Sequence, residues 1–323
     1  MNKAHSVLKK AVVTAFFLIS TISTCRSQSI SPNEYVVRAV AVNTNGAVRA
    51  EVNLDGSLTV TEILAKSQMR LDGLKPTRAF ALAFSPNGRF LAAADTEGKI
   101  QVWDLSTRNL VHTIFQPGGV WSLAFDSQGK RLAAGGNKLV CVWDPNSGDE
   151  LRKWPIKDTS LSLSFDPNGK WLAAADFSVL HVWSLASEES LEGKAKDFEI
   201  SSVAFSPDGR VVATGGHGVL NNGTVQLWKI DDVLKETTVG VLPNRVEALA
   251  FSPDGVSIAA GSPTGVVKLW STSNGSELET LTTDDYIATL TFSGGGRTLV
   301  AVTGPNLNEK SALLSWELQT GRK

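Results

Sequence analysis

Residues Ala83–Asp104 read AFSPNGRFLAAADTEGKIQVWD. Three short apolar runs alternate with two polar turns, SPNG and DTEG, and a fourth run, LVHTI at Leu110–Ile114, follows a further turn, STRN. Such runs are strand length, and a glycine closing each polar turn supplies the positive backbone angle of a tight hairpin. The stretch is expected to fold as one small antiparallel sheet of four strands.

The same pattern is written seven times. A hydrophobic residue marks one place in each copy, at Val42, Phe84, Phe125, Phe165, Phe205, Phe251 and Phe292, in steps of 42, 41, 40, 40, 46 and 41 residues. The first turn recurs as DSQG at Asp126–Gly129, DPNG at Asp166–Gly169, SPDG at Ser206–Gly209 and Ser252–Gly255, and SGGG at Ser293–Gly296. The first copy is the faintest, but NTNG at Asn43–Gly46 and LDGSLTV at Leu54–Val60 keep both turn glycines in register. A period near 40 to 45 with four apolar runs per unit is that of a propeller blade, a small sheet that buries its faces against its neighbours. The expected fold is all-β: a seven-bladed β-propeller of four-stranded antiparallel blades.

The repeat occupies nearly all of residues 36–318, so a single domain over residues 28–323 is expected. The balance of 31 Lys+Arg against 32 Asp+Glu gives a net charge of −1, with the basic residues scattered. Phosphate backbones are held by clustered positive charge, so nucleic acid is not an expected partner.

Residues 1–27 have the order of an export signal: Lys3, Lys9 and Lys10, then the apolar run Ala11–Ser20, then small and polar residues. The run is too short to span a bilayer comfortably. Cleavage after Ser27 places Cys25 and Ser27 at the positions that favour small side chains. Two alternatives stay open, a lipid anchor at Cys25, because Ile22-Ser23-Thr24-Cys25 resembles a lipobox apart from Thr24, and an uncleaved anchor. The propeller is expected to be exported, periplasmic or secreted, as a freely soluble protein or a tethered lipoprotein. Cys141, the second of two cysteines, lies among apolar neighbours and is read as a small buried hydrophobe.

With Trp103-Asp104 and Trp143-Asp144 closing two third strands, and Trp183, Trp228, Trp270 and Trp316 at the same register, the units resemble WD repeats. Thr61 takes that place in the first unit. A large ring there can wedge between neighbouring sheets. Many WD repeats also carry a Gly-His pair and an Asp six residues before the tryptophan. Here that position holds Asp55, Glu97, Asn137, Phe177, Asn222, Thr264 and Lys310, and the matching histidines are missing. The polar brace is therefore expected to be lost from most blades, with apolar packing carrying the stability. Only seven residues follow Trp316, fewer than a fourth strand needs, so Ser27–Ser31 at the mature amino terminus is expected to pair with the last blade and close the ring.

Spacing also marks a candidate binding end. Mark to tryptophan is 18 or 19 residues except in the fifth and seventh units, where it is 23 and 24. The extra residues fall between second and third strands, in GGHGVLNNG at Gly215–Gly223 and TGPNLNEKS at Thr303–Ser311. These insertions put His217, Leu220, Asn306 and Leu307 forward as partner-binding residues. Neutral loop drift explains the insertions equally well. Positions four and six before each mark should surround the channel mouth; Arg38, Phe80, Trp121, Glu247, Arg78, Arg245 and Tyr286 stand there, several of them hot-spot residue types. Trp121 shares parity with Leu123 and Phe125, so packing between blades competes with binding.

Other motifs point to no chemistry. Asp144-Pro-Asn-Ser-Gly-Asp149 resembles a calcium loop but sits where another blade has the plain turn Ser271–Gly275. His112, His181 and His217 fall on three different blades, so neither metal nor cofactor is expected. Enzymatic propellers converge several acids, histidines or arginines at the mouth. Three arginines, Arg38, Arg78 and Arg245, could grip an anion, but no nucleophile with a partner stands beside them. The expected function is a non-catalytic, monomeric, exported protein-interaction scaffold. The alternative is a ligand-binding or enzymatic propeller, such as a lactonase-like hydrolase or a quinone-dependent dehydrogenase, with its site at the mouth.

Overall fold

The computed structural model describes residues 40–42, 48–52, 58–62, 67–71, 79–196, 198–218, 222–231, 234–303 and 313–318. The regular elements in them are β-strands, apart from a 3-10 turn at Gly294–Gly296. The first sheet holds β1 (Val40–Val42), β2 (Val48–Val52), β3 (Leu58–Glu62) and β4 (Ser67–Leu71); the second holds β5 (Ala79–Phe84), β6 (Phe90–Asp95), β7 (Lys99–Asp104) and β8 (Asn109–Phe115). The third is six-stranded: β9 (Ser122–Phe125), β10 (Leu132–Trp143), β11 (Glu150–Phe165), β12 (Trp171–Asp176), β13 (Val179–Ser184) and β14 (Ser190–Lys194). The fourth holds β15 (Phe198–Phe205), β16 (Val211–Gly218), β17 (Asn222–Ile230) and β18 (Leu234–Pro243). The fifth holds β19 (Ala248–Phe251), β20 (Ser257–Gly261), β21 (Val266–Ser271) and β22 (Glu277–Thr282), and the sixth only β23 (Ile287–Ser293), β24 (Thr298–Thr303) and β25 (Leu313–Glu317). Spatial order follows chain order throughout, and paired neighbours are antiparallel.

This is an all-β propeller, but the expectation of seven separate four-stranded blades is corrected. Among the described residues, five sheets have four or more strands and a sixth has three. The difference lies in the third and fourth repeats. β10 pairs with β9 through Leu132–Gly135 and, after a bend at Lys138 (φ 61), with β11 through Asn137–Trp143. β11 in turn pairs with β10 as far as Thr159 and then with β12 from Ser160 onward. The fourth strand of one repeat thus runs on as the first strand of the next, and one sheet holds two repeats. The pairing expected of Ser27–Ser31 with the last blade lies outside the described residues, as do residues 1–27.

The first turns behave as their sequence implies. Gly88, Gly129, Gly169, Gly209 and Gly255 all have φ near 70° (68 to 72), a backbone that a side chain rarely adopts. In the second repeat Ser85 Oγ donates to Asn87 Oδ1 at 2.7 Å and accepts from Phe90 N at 2.8 Å, which closes the turn from inside.

The core lies between sheets. Buried apolar residues form six clusters, each drawn from two successive repeats, and Trp103, Trp143, Trp183, Trp228 and Trp270 each sit in one of them. These five are 2 to 8% exposed, whereas Trp316, in the three-stranded sheet, is half-buried. Small residues make room for the rings. A Cβ on Gly193 of β14 would lie 2.5 Å from Trp228, and one on Gly240 of β18 would lie 2.2 Å from Trp270. In the fifth repeat the tryptophan keeps a polar contact of its own: Trp228 Nε1 donates to Thr214 Oγ1 at 2.8 Å. Two residues beyond the strand partner of each tryptophan, the position of Thr214 is taken by Ala93, Ala174, Ala260 and Ala301. Apolar packing replaces that hydrogen bond there. Cys141 belongs to this core, and burial pushes its thiol up to about 12.

Two predictions follow from these contacts. Gly240→Ala drives a methyl into Trp270, and urea unfolding should show a loss of about 1–3 kcal/mol. The second concerns Asp104, whose carboxylate accepts from Ser106 Oγ at 2.5 Å, Arg89 Nε at 2.8 Å and Ser106 N at 2.9 Å. The Ser106 hydroxyl leads these contacts, which outweigh burial and lower its pKa from 3.8 to about 2. A depressed carboxyl stabilises the fold above the unfolded value and loses that contribution as pH falls toward the folded one. Thermal midpoints of the parent protein should therefore drop more steeply between pH 4 and pH 2 than those of Asp104→Asn.

Candidate functional site

The links between repeats and the hairpins between second and third strands meet at one end. Gln116 N donates to Gly98 O at 2.8 Å, Val120 N to Asp95 O at 3.1 Å, Ala195 N to Ser178 O at 2.8 Å and Thr283 N to Gly265 O at 3.0 Å. Each bond joins a link to a hairpin, so the two sets of candidate residues share one rim.

The best-formed cluster on that rim lies in the link Asn244–Glu247. Asn244 has φ 69, a conformation asparagine tolerates, and its Oδ1 accepts from Arg245 N at 2.8 Å. Val246 is fully buried; its N–H donates to Gly216 O at 3.2 Å and its carbonyl accepts from Ser201 Oγ at 2.6 Å. Glu247 N donates to Gly261 O at 2.9 Å. Gly223 allows the link to lie on β17, since a Cβ there would meet Asn244 O at 2.3 Å. In an extended chain residues two apart face the same way, so anchoring Val246 inward sends Arg245 and Glu247 together toward the rim.

There Arg245 Nε donates to Glu247 Oε1 in an ion pair whose side chains are 26% and 5% exposed. Tyr286, from the next link, completes the group: its hydroxyl hydrogen-bonds with both Arg245 and Glu247. Burial works against the Arg245 charge, but Glu247 and Tyr286 outweigh it and raise the guanidinium pKa. Burial, then the Glu247 charge, pushes the Tyr286 phenol well above its usual range, with Arg245 pulling the other way. At neutral pH the group therefore holds a guanidinium–carboxylate pair beside a neutral hydroxyl. Nearby, Glu199 of β15 pairs in register with His217 of β16, and His217 in turn with Gly223, under the Arg245 link.

The structure thus brings together Arg245, Glu247 and Tyr286 and places Glu199 and His217 beside them. His217 corrects one expectation: it is in strand β16 rather than in a projecting loop, because the inserted residues lengthen β16 and β17. Trp121 stands apart, half-buried just before β9, with its backbone N–H donating to Gly135 O at 2.8 Å. Phe80 lies in β5; Arg38, Arg78, Leu220, Asn306 and Leu307 lie outside the described residues. Asp144 Oδ1 accepts from Asn146 N at 2.7 Å, a turn contact that occupies the carboxylate of the calcium-like loop. Among the described residues, no group of three or more His, Cys, Asp or Glu is placed to hold a metal ion. Register arithmetic did not single out Ser201 and Asn244 as anchors; the signal for Asn244 was an asparagine at a link with no room for a side chain opposite.

The family of the WD domain, G-beta repeat, matches this chain at residues 75–104, 108–144, 186–229 and 237–271. With the sheets stacked as described, these matches fit the WD-repeat β-propeller family. Similar curated proteins include echinoderm microtubule-associated protein-like elp-1 of Caenorhabditis elegans, 32% identical over 88 residues, which are 26% of this chain and 10% of that protein. WD repeat-containing protein SL1-17 of Schistosoma mansoni is 30% identical over 35% of this chain and 38% of its own length. WD repeat-containing protein VIP3 of Arabidopsis thaliana is 27% identical over 33% and 39%. The chain therefore spans well under half of these relatives. Among solved structures, a chain of Kuenenia stuttgartiensis hydrazine synthase superposes with a TM-score of 0.76 at 13% identity, over 92% of this chain and 100% of that one. The Cps50 (Swd1) β-propeller domain of Myceliophteria thermophila gives 0.67 at 16% identity, over 87% and 96%. At these identities the likeness is one of fold alone.

Removing the Glu247 carboxylate leaves the Arg245 guanidinium three-quarters buried without its counter-ion. Glu247→Ala should cost about 1–3 kcal/mol in urea unfolding, below the full cost of a deeply buried pair because Arg245 keeps some water, and Glu247→Gln should cost less.

Proposed function

We propose that this protein is a non-catalytic protein-interaction scaffold that engages its partner at the end carrying the links and the second-to-third hairpins. The observation that carries this reading is the Arg245, Glu247 and Tyr286 group: side chains from two successive repeats, held by buried anchors, meet at one rim with the arginine and the phenol still partly open to solvent. Arginine and tyrosine on a rigid frame are residue types that interfaces use as anchors. The family supports a binding role, since WD-repeat proteins are interaction modules. Trp121, on another part of the same end, is included as a second anchor.

Export belongs to the same proposal. The order of Lys3, Lys9 and Lys10, the apolar Ala11–Ser20 and the small residues that follow supports a signal removed after Ser27, which would put the scaffold outside the cytoplasm. Among the described residues no helix is long and apolar enough to cross a membrane.

Affinity capture from the native envelope tests the scaffold. Trp121→Ala and Arg245→Lys should each reduce partner recovery at least roughly fivefold while the thermal midpoint moves only a few degrees, because the lysine keeps a cation beside the buried Glu247 carboxylate. Unchanged recovery with both variants, or unfolding by Trp121→Ala, contradicts the assignment. Mass analysis of the purified protein tests export: a chain beginning at Gln28 is expected, and an intact Met1 contradicts it.

A further inference from the structure

His181 stands two residues before Trp183 on β13, so the two side chains share a face. Its ring is stacked on the Trp183 indole, with centroids 5.2 Å apart and planes 4° from parallel. Trp183 is stacked in turn on Trp154 of β11, at 4.9 Å and 10°. The orientation of the imidazole is thereby fixed, and both of its nitrogens face carboxylates. Nε2 lies 3.3 Å from Asp176 Oδ2 at the end of β12, and Nδ1 lies 3.1 Å from Glu192 Oε1 on β14.

Hydrogen counting decides what this arrangement requires. A neutral imidazole carries one N–H and one lone pair, whereas a carboxylate only accepts, so the neutral ring satisfies one of its two neighbours. The imidazolium satisfies both, and its charge suits the indole face against which it lies. The two carboxylates differ in freedom. The Asp176 side chain is 2% exposed and also accepts from Lys157 N at 3.0 Å and Asp158 N at 2.8 Å, so it is held in place. The Glu192 side chain is 68% exposed and can turn to water. Losing one proton from the ring therefore keeps the bond to Asp176 and gives up the bond to Glu192. The other charged groups around the ring do not replace it. On β11, Arg152 Nη1 donates to Glu188 Oε1 at 2.5 Å, Lys153 pairs with Glu150 at 3.1 Å, and Lys157 and Asp158 reach Asp176 through their main chain. On β14, Lys194 is exposed two residues beyond Glu192, and Lys196 just past the strand lies 3.8 Å from Glu236 of β18.

Glu192 is followed by Gly193, the bare position into which Trp228 of the fifth repeat fits. Whatever fixes Glu192 fixes the strand that forms this slot. We propose that His181 is a protonation-gated tie: the charged ring holds β14 through Glu192 and steadies the seat of Trp228, and loss of the charge as pH rises releases that strand. Imidazole side chains commonly change charge between about pH 5 and 8, so the tie is present on the acid side of that range and lost on the alkaline side. It is separate from the Arg245, Glu247 and Tyr286 group and does not rest on the scaffold reading.

Amide hydrogen exchange on the full chain tests it, read by mass spectrometry over Ser190–Lys194 at about pH 5.5 and about pH 8.5. Each variant is compared with the parent at the same pH, which cancels the intrinsic pH dependence of exchange. At the acid pH, Glu192→Gln should exchange about two- to fivefold faster than the parent in that segment. At the alkaline pH the two should match. In a His181→Gln background, Glu192→Gln should change nothing at either pH. Proton spectra give an independent reading, because the chain has four histidines: the His181 ring signal, identified by its loss from His181→Gln, should titrate across the range in which the difference closes. Equal exchange of parent and Glu192→Gln at the acid pH, a difference that persists at the alkaline pH, or a His181 ring that does not titrate between them overturns the proposal. Should His181→Gln fail to fold, the comparison of parent with Glu192→Gln decides by itself, since that side chain is largely exposed.

Discussion

The fold depends on a large ring pressed into a neighbouring sheet where that sheet has no side chain. Trp228 against Gly193 and Trp270 against Gly240 are the clearest cases. A four-stranded sheet of this size cannot bury both faces alone, so stacking converts two marginal sheets into one core. The tryptophan makes the conversion specific, because its volume matches one glycine-lined slot. With Ala93, Ala174, Ala260 and Ala301 where Thr214 stands in the fifth repeat, most interfaces forgo the hydrogen bond and rely on close packing.

That rigid stack is what permits a working end. Link residues such as Arg245 and Glu247 lie on irregular backbone, yet Val246 and the bonds from Gly216, Ser201 and Gly261 fix that backbone to three strands. Ordered links cost little additional freedom when a partner binds. Charge is spent sparingly there. Arg245 and Glu247 satisfy each other, and Tyr286 stays protonated between them.

Much of this was legible in the sequence, and the limits have physical causes. Turn glycines and tryptophans in register announce stacked antiparallel sheets, because glycine adopts the turn's backbone angle most readily and a large ring fills the slot. The union of the third and fourth repeats was not legible: Trp154–Thr159 has the same extended character as other links, and only hydrogen bonding shows that β11 passes through without a break. Counting back from the marks assembled Arg245, Glu247 and Tyr286, since equal register means equal height. It misjudged His217, because inserted residues can lengthen two paired strands as readily as they can form a loop. Phe177 was visible as a departure from the polar position, but its positive φ and its exposure are properties of the folded hairpin.

The central claim, that the ring and the bare strand opposite it are one interaction, is tested most directly by a double-mutant cycle on Gly240 and Trp270. If the account holds, the cost of adding a methyl at Gly240 disappears once Trp270 is replaced by leucine, giving a coupling of about 1 kcal/mol or more. Equal cost in both backgrounds would mean that the glycine serves its own strand rather than the tryptophan, and would contradict the account.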